Sequence, residues 1–179
     1  MLRLEMMDVN DLINNVDYLI RDIFGKQVQS STILCPRPKK IKGDQGELTQ
    51  VVLDIVQNAC DAMPDGGKLM IQTENILLDE EQCKTIPESR PGSFVCISIT
   101  DTGSGMDKET LEHIFEPFFT TKPAGKATGL GLAFVYGTVK QHKGWLQVSS
   151  QLEKGSTFKV YLPDTSGSVD EPEHALLLL

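Results

Sequence analysis

The stretch LTQVVLDIVQNACDAM, Leu48 to Met63, decides the fold because it predicts one helix with two different faces. Its apolar residues recur every three or four positions, which is the spacing of a helix that packs one side into a core. These residues are Leu48, Val51, Val52, Ile55, Val56, Ala59 and Ala62. We therefore expect this side of the helix to be buried.

The opposite side of the same helix carries a column of polar residues. Glu47, Asp54, Asn58 and Asp61 also recur at helical spacing. An amide oxygen and carboxylates suit magnesium, which keeps most of its waters and usually shares its remaining ligands with substrate phosphates. Taken alone, the column fits a solvated helix face better than a metal site, since most amphipathic helices have a polar side without chemistry.

Length and composition indicate one globular domain with a full core. The chain has 179 residues, of which 40% are hydrophobic. Its net charge of −8 argues against a nucleic-acid-binding surface, which needs clustered Lys and Arg. Any phosphate-bearing ligand must therefore be held locally, by a few groups.

Cysteine spacing and the apolar runs favour a cytoplasmic location. Cys35, Cys60, Cys83 and Cys96 are widely spaced, with no pair at metal-site or redox-motif distance, so we expect reduced thiols. No charged-then-apolar leader opens the sequence, and the longest apolar run, Ala175 to Leu179, is far too short to cross a bilayer. We expect no direct contact of this chain with a membrane.

Hydrophobic periods along the chain predict four helices and a set of short strands. The predicted helices are Val9 to Phe24, a central helix from an Asp44/Glu47 capping box to Asp65-Gly66-Gly67, Asp107 to Phe115, and Leu130 to His142 closed by Gly144. The predicted strands are Val28 to Leu34, a short one around Ile41, Lys68 to Leu78, Ser93 to Thr100, and a hairpin of Trp145 to Gln151 with Thr157 to Leu162. The third and fourth strands should pair, with polar residues 79–92 as a surface excursion between them. We expect one domain over residues 1–163 and an acidic flexible tail or linker over 164–179.

Two glycine-rich segments follow the predicted sheet strands. In DTGSGMD, Asp101 to Asp107, two glycines let the backbone approach a flat or charged ligand closely. In EPFFTTKPAGKATGLGLA, Glu116 to Ala133, a mobile loop leads into a helix whose free N–H groups can bind phosphate oxygens. Each segment alone also fits an ordinary turn or connector, because neither completes a dinucleotide fingerprint or a P-loop.

The order of these segments resembles the ATP-binding catalytic domain of two-component sensor histidine kinases. The shared features are an Asn-bearing helix, a strand that runs into DxGxG, a Phe-rich segment and GLGL opening a helix, over roughly residues 8–163. This family shares its fold with gyrase and other type II topoisomerases and with mismatch-repair ATPases. The resemblance implies an α+β fold of the Bergerat type. That fold is a two-layer sandwich with a mixed, mostly antiparallel sheet covered on one face by helices.

The resemblance also implies roles for the matching residues. Asn58 is similar to the family's catalytic magnesium ligand, and Asp101 to the carboxylate that accepts a hydrogen bond from the adenine amino group. Gly103 and Gly105 match the turn that leaves room for the ring. A carboxylate only accepts hydrogen bonds, so at this place it selects a base with an exocyclic amine.

The remaining matches concern the phosphates and the lid above them. Lys122 is expected as a catalytic amine and Thr121 as a hydroxyl toward phosphate, while Asp61 resembles a position near the ribose and phosphates. The last glycine box is matched by Thr128, Gly129, Leu130 and Gly131. The aromatic box is matched by Phe115, Phe118 and Phe119, which are expected to pack under the lid.

Two positions depart from the family pattern. Ala127 stands where the family often has glycine, which predicts a slightly stiffer lid. Asp54 stands where many histidine kinases have a second Asn and where the superfamily's ATPases have an acidic general base. We expect Asp54 to help order magnesium and to permit slow hydrolysis at most.

The implied function is transfer of the γ-phosphate of MgATP to a histidine on a dimerisation domain, with a response-regulator receiver downstream. None of His113, His142 and His174 precedes the central helix, so we expect a fragment without the phosphoacceptor. Three alternatives stay open: a conformational-switch ATPase, a serine kinase of the anti-sigma type and a degenerate scaffold.

Overall fold

A computed structural model describes residues 1–167, in which helices pack on a mixed main sheet. The strands are β1 Glu5–Met7, β2 Val28–Ile33, β3 Ile41–Gly43, β4 Gly67–Leu78, β5 Gly92–Asp101, β6 Trp145–Gln151 and β7 Gly155–Pro163. The helices are α1 Val9–Phe24, α2 Gln45–Asp61, α3 Glu80–Cys83, α4 Lys108–His113 and α5 Gly131–Gln141, followed by a 3-10 turn at Thr165–Gly167.

The main sheet has five strands in the order β2-β4-β5-β7-β6. β2 runs parallel to β4, and all other neighbours are antiparallel. β1 and β3 form a separate antiparallel pair. The predicted mixed, mostly antiparallel sheet is therefore confirmed, and so is the predicted pairing of the two strands now numbered β4 and β5.

Three helices, α1, α2 and α5, contribute their apolar sides to the core on one face of this sheet. The buried side of α2 contains Leu48, Val51, Val52, Ile55, Val56 and Ala59, six of the seven positions expected from the sequence. Ala62 lies beyond the last helical residue and is only partly buried. The predicted fold class is confirmed, because helices on one sheet face make a two-layer sandwich.

The ends of α2 differ from the prediction. At its start, the Asp44 carboxylate accepts a hydrogen bond from the Glu47 N–H at 3.1 Å. The other half of the expected capping box is not formed, because the Glu47 carboxylate instead accepts from the Thr138 hydroxyl of α5 at 3.5 Å. The helix ends at Asp61, four residues before the Asp65-Gly66-Gly67 segment expected to stop it.

The excursion between β4 and β5 is more than a surface loop. Its Cys83 and Ile86 pack against an apolar cluster on the second face of the sheet. This cluster consists of Leu78, Phe94, Cys96, Trp145 and Tyr161. The guanidinium of Arg90 lies 5.3 Å from the Phe94 ring and 5.5 Å from the Trp145 ring. The prediction of a surface excursion was incomplete, because the apolar side chains on this second sheet face must be shielded from water and residues 79–92 shield them.

The end of α5 is stopped by a lysine and not by the expected glycine. Lys143 has the left-handed conformation, with φ 60°, and its N–H donates to the Lys140 carbonyl at 2.9 Å. The Gly144 N–H donates to the Val139 carbonyl at 2.9 Å, which completes a Schellman motif. A Cβ on Gly144 would lie 2.1 Å from the Tyr161 carbonyl oxygen, so glycine is needed there for space.

The fold continues past the expected domain end at Pro163. Asp164 is buried, pairs with Lys39 at 3.2 Å and accepts a hydrogen bond from the Ser93 hydroxyl. A flexible tail therefore does not begin at Asp164, because this carboxylate is held by Lys39, Ser93 and Ser166. The rest of the predicted tail, residues 168–179, lies outside the described residues. Within residues 1–167, none of the helices has the length and apolar character needed to span a bilayer.

Candidate functional site

A cavity of about 370 Å³ lies where α2, α4 and the start of α5 meet the lid, which we define as residues 116–130. Eight residues expected in the site line it: Asp54, Asn58, Asp61, Thr121, Lys122, Thr128, Gly129 and Gly131. The polar column of α2 is thus a wall of a cavity and not a plain solvated face. Glu47 is the exception, since it faces Thr138 and does not line the cavity.

The Asn58 carboxamide is free to bind a metal ion. Its side chain lines the cavity and is partly buried. Its carboxamide makes no hydrogen bond to any residue of the described chain, 1–167. The same residues contain no cluster of three or more His, Cys, Asp or Glu side chains that could hold a metal. The donor set therefore fits magnesium only if phosphate oxygens complete its shell.

Asp54 lies one helical turn before Asn58 and faces the start of α5. Its Oδ1 accepts a hydrogen bond from the Gln50 side chain at 2.8 Å. Its Cγ is 3.9 Å from the position that a Cβ on Gly131 would occupy. Burial raises the pKa of the Asp54 carboxyl above its usual value, against a smaller lowering by the Gln50 hydrogen bond. A raised pKa brings this group closer to the range of a general base.

Asp61 and Lys122 connect α2 to the lid. The Lys122 ammonium pairs directly with Asp61 Oδ2, and the Gln57 amide donates to Asp61 Oδ1 at 3.0 Å. The side chains of the ion pair are about one third exposed, so the pair holds the lid only weakly. A phosphate at this place would compete with Asp61 for the lysine.

The lid joins α5 through a tight glycine-dependent contact. Gly129 has φ 69°, and a Cβ there would lie 2.5 Å from the Phe118 carbonyl carbon. The Phe118 N–H donates to the Gly129 carbonyl at 2.9 Å, which closes the base of the lid. Leu130 caps α5 without any side-chain hydrogen bond. The N–H groups of the first turn thus remain available for an anion.

Leu130 is placed differently from the other residues of its glycine box. Its side chain is 41% exposed and does not line the cavity. Thr128 contributes locally, since its hydroxyl accepts from the Leu130 N–H at 3.3 Å. The glycine box therefore supplies backbone and not a leucine side chain to the cavity.

The turn at residues 101–107, which we call the Asp101 turn, lies beside the cavity and contributes one residue, Met106, to its wall. Asp101 is only 3% exposed, and its Oδ1 accepts from the Gly103 N–H at 2.8 Å. Burial raises the pKa of its carboxyl, against lowering by hydrogen bonds from the backbone of Gly103 and Ser156. Neither Asp101 nor the two glycines of this turn line the cavity, whereas Met106 does.

Both glycines of this turn are required by close packing. A Cβ on Gly103 would lie 2.6 Å from the Ala62 carbonyl oxygen. Gly105 has φ 68°, and a Cβ there would lie 2.0 Å from the Gln151 carbonyl oxygen. The Ser104 N–H donates to the Ala62 carbonyl at 2.9 Å, which fastens the turn to the end of α2.

The three residues of the aromatic box, Phe115, Phe118 and Phe119, have different environments. Phe119 lines the cavity, and the Phe115 ring lies 5.4 Å from that of Tyr136. Both pack against the core. Phe118 does not, since it is 74% exposed with φ 67°. Its backbone is held to Gly129, and this turns the side chain away from the core.

Sequence reasoning missed several residues that line the cavity. They are Gln57, Met106, Thr110, Ile114, Phe119, Thr120, Lys126, Ala127 and Leu132, of which Phe119 and Ala127 were considered only as lid residues. Lys126 could have been predicted as a lining residue, because it is a second cation in the same glycine-rich loop. Gln57 could also have been predicted, because it lies four residues before Asp61 on the helix. The apolar lining residues could not, since their sequence pattern is that of ordinary core residues.

Residues 43–166 match the family described as histidine kinase-, DNA gyrase B- and HSP90-like ATPases. The sensor kinase CckA of Brucella abortus is 38% identical over 165 residues, which cover 90% of this chain and 17% of that protein. The sensor histidine kinase ZraS of Escherichia coli K12 is 37% identical over 163 residues, which cover 90% of this chain and 31% of that protein. The chain thus spans under a third of the length of these two relatives.

A solved structure agrees with these matches. The catalytic domain of histidine kinase ThkA superposes with a TM-score of 0.73 at 25% identity, and the superposition covers 91% of this chain and 97% of that one. The glycine boxes, Asn58 and Asp101 lie within the matched residues 43–166. The chain therefore belongs to the histidine kinase-, DNA gyrase B- and HSP90-like ATPase family, as an ATP-binding catalytic domain of the sensor histidine kinase kind.

Proposed function

We propose that this domain binds MgATP in the cavity beside α2 and transfers the γ-phosphate to a histidine of another domain. That domain is the dimerisation and histidine phosphotransfer domain of its parent protein, in a cytoplasmic two-component pathway with a response-regulator receiver downstream. The observation that carries the proposal is the convergence of Asn58, Lys122 and the open start of α5 on one cavity. These groups suit a metal, an anionic oxygen and a phosphate, in that order.

Asn58, Lys122 and the start of α5 have parts that their place in the cavity supports, whereas the part of Asp101 rests on its family motif. The Asn58 carboxamide would hold magnesium, which when bound neutralises charge on the phosphates. Lys122 and the backbone N–H groups at the start of α5 hold phosphate oxygens. Asp101 accepts a hydrogen bond from the adenine amine, and the lid excludes water. Phosphoryl transfer needs mainly positioning and charge stabilisation, so no covalent step on the protein is required.

The first experiment measures MgATP binding by calorimetry. Asn58→Ala removes the oxygen ligand from the polar side of α2 and should weaken binding by about 100-fold or more, while the fold remains cooperative. Thr49→Ala on the same helix is the control, since its hydroxyl bonds only to the Gln45 carbonyl at 2.6 Å. If Asn58→Ala binds MgATP like the parent chain, the cavity is not the nucleotide site.

The second experiment follows γ-labelled ATP to a dimerisation hairpin that carries a histidine. Label on the hairpin that is lost in acid identifies phosphohistidine. A product that is stable in acid favours the serine kinase of the anti-sigma type.

One observation supports a second function, a conformational-switch ATPase. Burial raises the pKa of Asp54, which suits a carboxylate that takes a proton from water. If Asp54 is such a base, Asp54→Asn should lower hydrolysis by about 10²–10⁴ at unchanged MgATP affinity. We expect the other result: slow hydrolysis by the parent domain, and phosphotransfer largely kept by Asp54→Asn, because Asp54 serves the magnesium shell. A fast basal ATPase that Asp54→Asn abolishes would favour the switch.

A further inference from the structure

The polar side-chain links between α2 and α5 lie at the end remote from the cavity. The imidazole Nε2 of His142, which caps the end of α5, accepts from the Asp44 N–H at the start of α2 at 3.0 Å. The second link is the Thr138 hydroxyl donating to Glu47 at 3.5 Å. Within residues 1–167 we find no further side-chain hydrogen bond or ion pair between these two helices and their caps.

The His142 ring is fixed by its surroundings. It is only 5% exposed, and its Nδ1 lies 2.8 Å from the Thr138 carbonyl oxygen. A carbonyl accepts and an N–H donates, so the proton sits on Nδ1 and Nε2 is the acceptor toward Asp44. The ring is therefore held in a fixed position on α5, and its Nε2 atom is the acceptor that faces α2.

The cavity lies at the other end of the same helix pair. Asn58 and Gly131, which line it, belong to α2 and to the start of α5. From Asp44 to Asn58 the helix extends about 20 Å at its usual rise. A rotation of roughly 5° about the His142 end would therefore displace the cavity end by about 2 Å. Magnesium sites tolerate far less, since ligand distances are about 2.0–2.1 Å.

We propose that His142 is a positioning residue for magnesium-nucleotide binding. Through its bond to the Asp44 N–H it sets the angle between α2 and α5, and with it the separation of Asn58 from the phosphate-binding start of α5. The inference rests on the proposed function, because its effect concerns MgATP in that cavity. It predicts a selective effect on MgATP, since the Asp101 turn is bonded to the end of α2 at Ala62 but is also held by Ser150 and Glu153 of the β6–β7 hairpin.

The test compares His142→Asn with His142→Gln in the full chain, with Gln141→Ala as an exposed control. The Asn amide can take the place of Nδ1 toward Thr138 but is too short for Asp44. The longer Gln side chain can offer an oxygen near the place of Nε2. Calorimetry should show MgATP affinity about tenfold weaker for His142→Asn and within about twofold of the parent for His142→Gln and Gln141→Ala. Adenosine affinity should stay within about twofold in all three.

Two results would overturn the inference. One is parent-like MgATP affinity in a folded His142→Asn variant; the other is an equal loss of MgATP and adenosine binding, which means general destabilisation. If His142→Asn fails to fold, Thr138→Val decides: it removes the second link at nearly constant volume and should give a smaller loss for MgATP alone. Equal affinity for the parent and Thr138→Val then overturns the inference. Failure of the parent chain to bind MgATP would instead refute the proposed function.

Discussion

The Asp101 turn and the lid flank the same cavity, but the fold holds them very differently. Backbone groups of the turn tie it to two other parts of the chain, the end of α2 and the β6–β7 hairpin. The Ser104 N–H donates to Ala62 at 2.9 Å, the Glu153 N–H donates to Ser104 at 2.7 Å, and the Met106 N–H donates to the Ser150 hydroxyl at 2.8 Å. Such a turn is rigid before any ligand arrives.

The lid has far fewer links to the rest of the described chain. Its base is closed by the Phe118–Gly129 bond and by the Glu116–His113 side-chain contact, and beyond that base the Lys122–Asp61 pair and the Phe119 ring link it to the body. Most of its residues are exposed. On the proposed function, the Asp101 turn that would bind the base is preorganised, whereas the lid that would bind the phosphates must be ordered by its ligand at a cost in entropy.

A pair of glycine variants tests this contrast most strongly. Gly105 and Gly125 both have left-handed backbone, with φ 68° and 83°. A Cβ on Gly105 would lie 2.0 Å from a backbone oxygen, but a Cβ on Gly125 meets nothing within 4 Å. Gly105→Ala should lower the free energy of unfolding by roughly 2–4 kcal/mol, and Gly125→Ala by about 1 kcal/mol, in urea unfolding. Equal losses would mean that the turn is not the more rigid region.

Removal of the Asp101 carboxylate should affect the base and not the phosphates. Asp101→Ala leaves the adenine amine without an acceptor, which costs roughly 1.5–3 kcal/mol or about 10- to 100-fold in adenosine affinity. Inorganic triphosphate with magnesium should bind unchanged in calorimetry. Asp101→Asn, which keeps a carbonyl oxygen, should lose less. If triphosphate weakens as much as adenosine does, Asp101 acts on the fold.

The reciprocal variant is in the lid. Lys122→Met removes a cation toward phosphate, but it also removes the competing pair with Asp61, so the net loss of MgATP affinity should be only about three- to tenfold. Adenosine affinity should not change. Lys84→Met, in the exposed excursion, serves as the charge-matched control. A loss of adenosine binding in Lys122→Met would show that the two regions are not independent.

The smallest effect concerns pH. Because burial raises the pKa of Asp101 above its ordinary 3.8, the carboxylate that we propose accepts the adenine amine is lost at a higher pH than for an exposed Asp. Adenosine affinity should therefore be full above this raised pKa and should fall as pH decreases through it. A titration from pH 7 to pH 4 should show the fall in the parent chain and a flatter profile in Asp101→Asn. Identical profiles would exclude a role for Asp101 ionisation.

Much of this architecture could be predicted because local patterns and tertiary structure agree. The apolar period of α2 predicted which side of the helix is buried. The strand-like patterns of β4 and β5 predicted that these two strands pair. The glycines at 103, 105 and 129 were recognised from their motifs, although the backbone atoms that crowd them could not be known from sequence. The Lys143 stop of α5 was missed, because left-handed lysine is rare and Gly144 offered the commoner solution.

Other features depend on contacts between distant segments and have no local signal. The burial of Asp164 requires Lys39 and Ser93, which are more than 70 residues earlier. The link between Asp44 and His142 spans 98 positions. The cover that residues 79–92 place over the second sheet face follows from side chains on β5, β6 and β7. At these places a polar sequence pattern predicted solvent-exposed residues, whereas in the fold the residues make tertiary contacts.

The position of Trp145 also determines what the intrinsic fluorescence of this protein can report. It is the single tryptophan in the chain, it is fully buried, and its ring is stacked on that of Tyr161 at 4.9 Å on the sheet face opposite the α2 side. Its emission should shift on global unfolding, when that cluster opens to water. The proposed nucleotide site lies on the other side of the sheet, so nucleotide binding should leave the spectrum nearly constant. Tryptophan emission is thus a clean probe of stability, and ligand binding needs a label placed elsewhere.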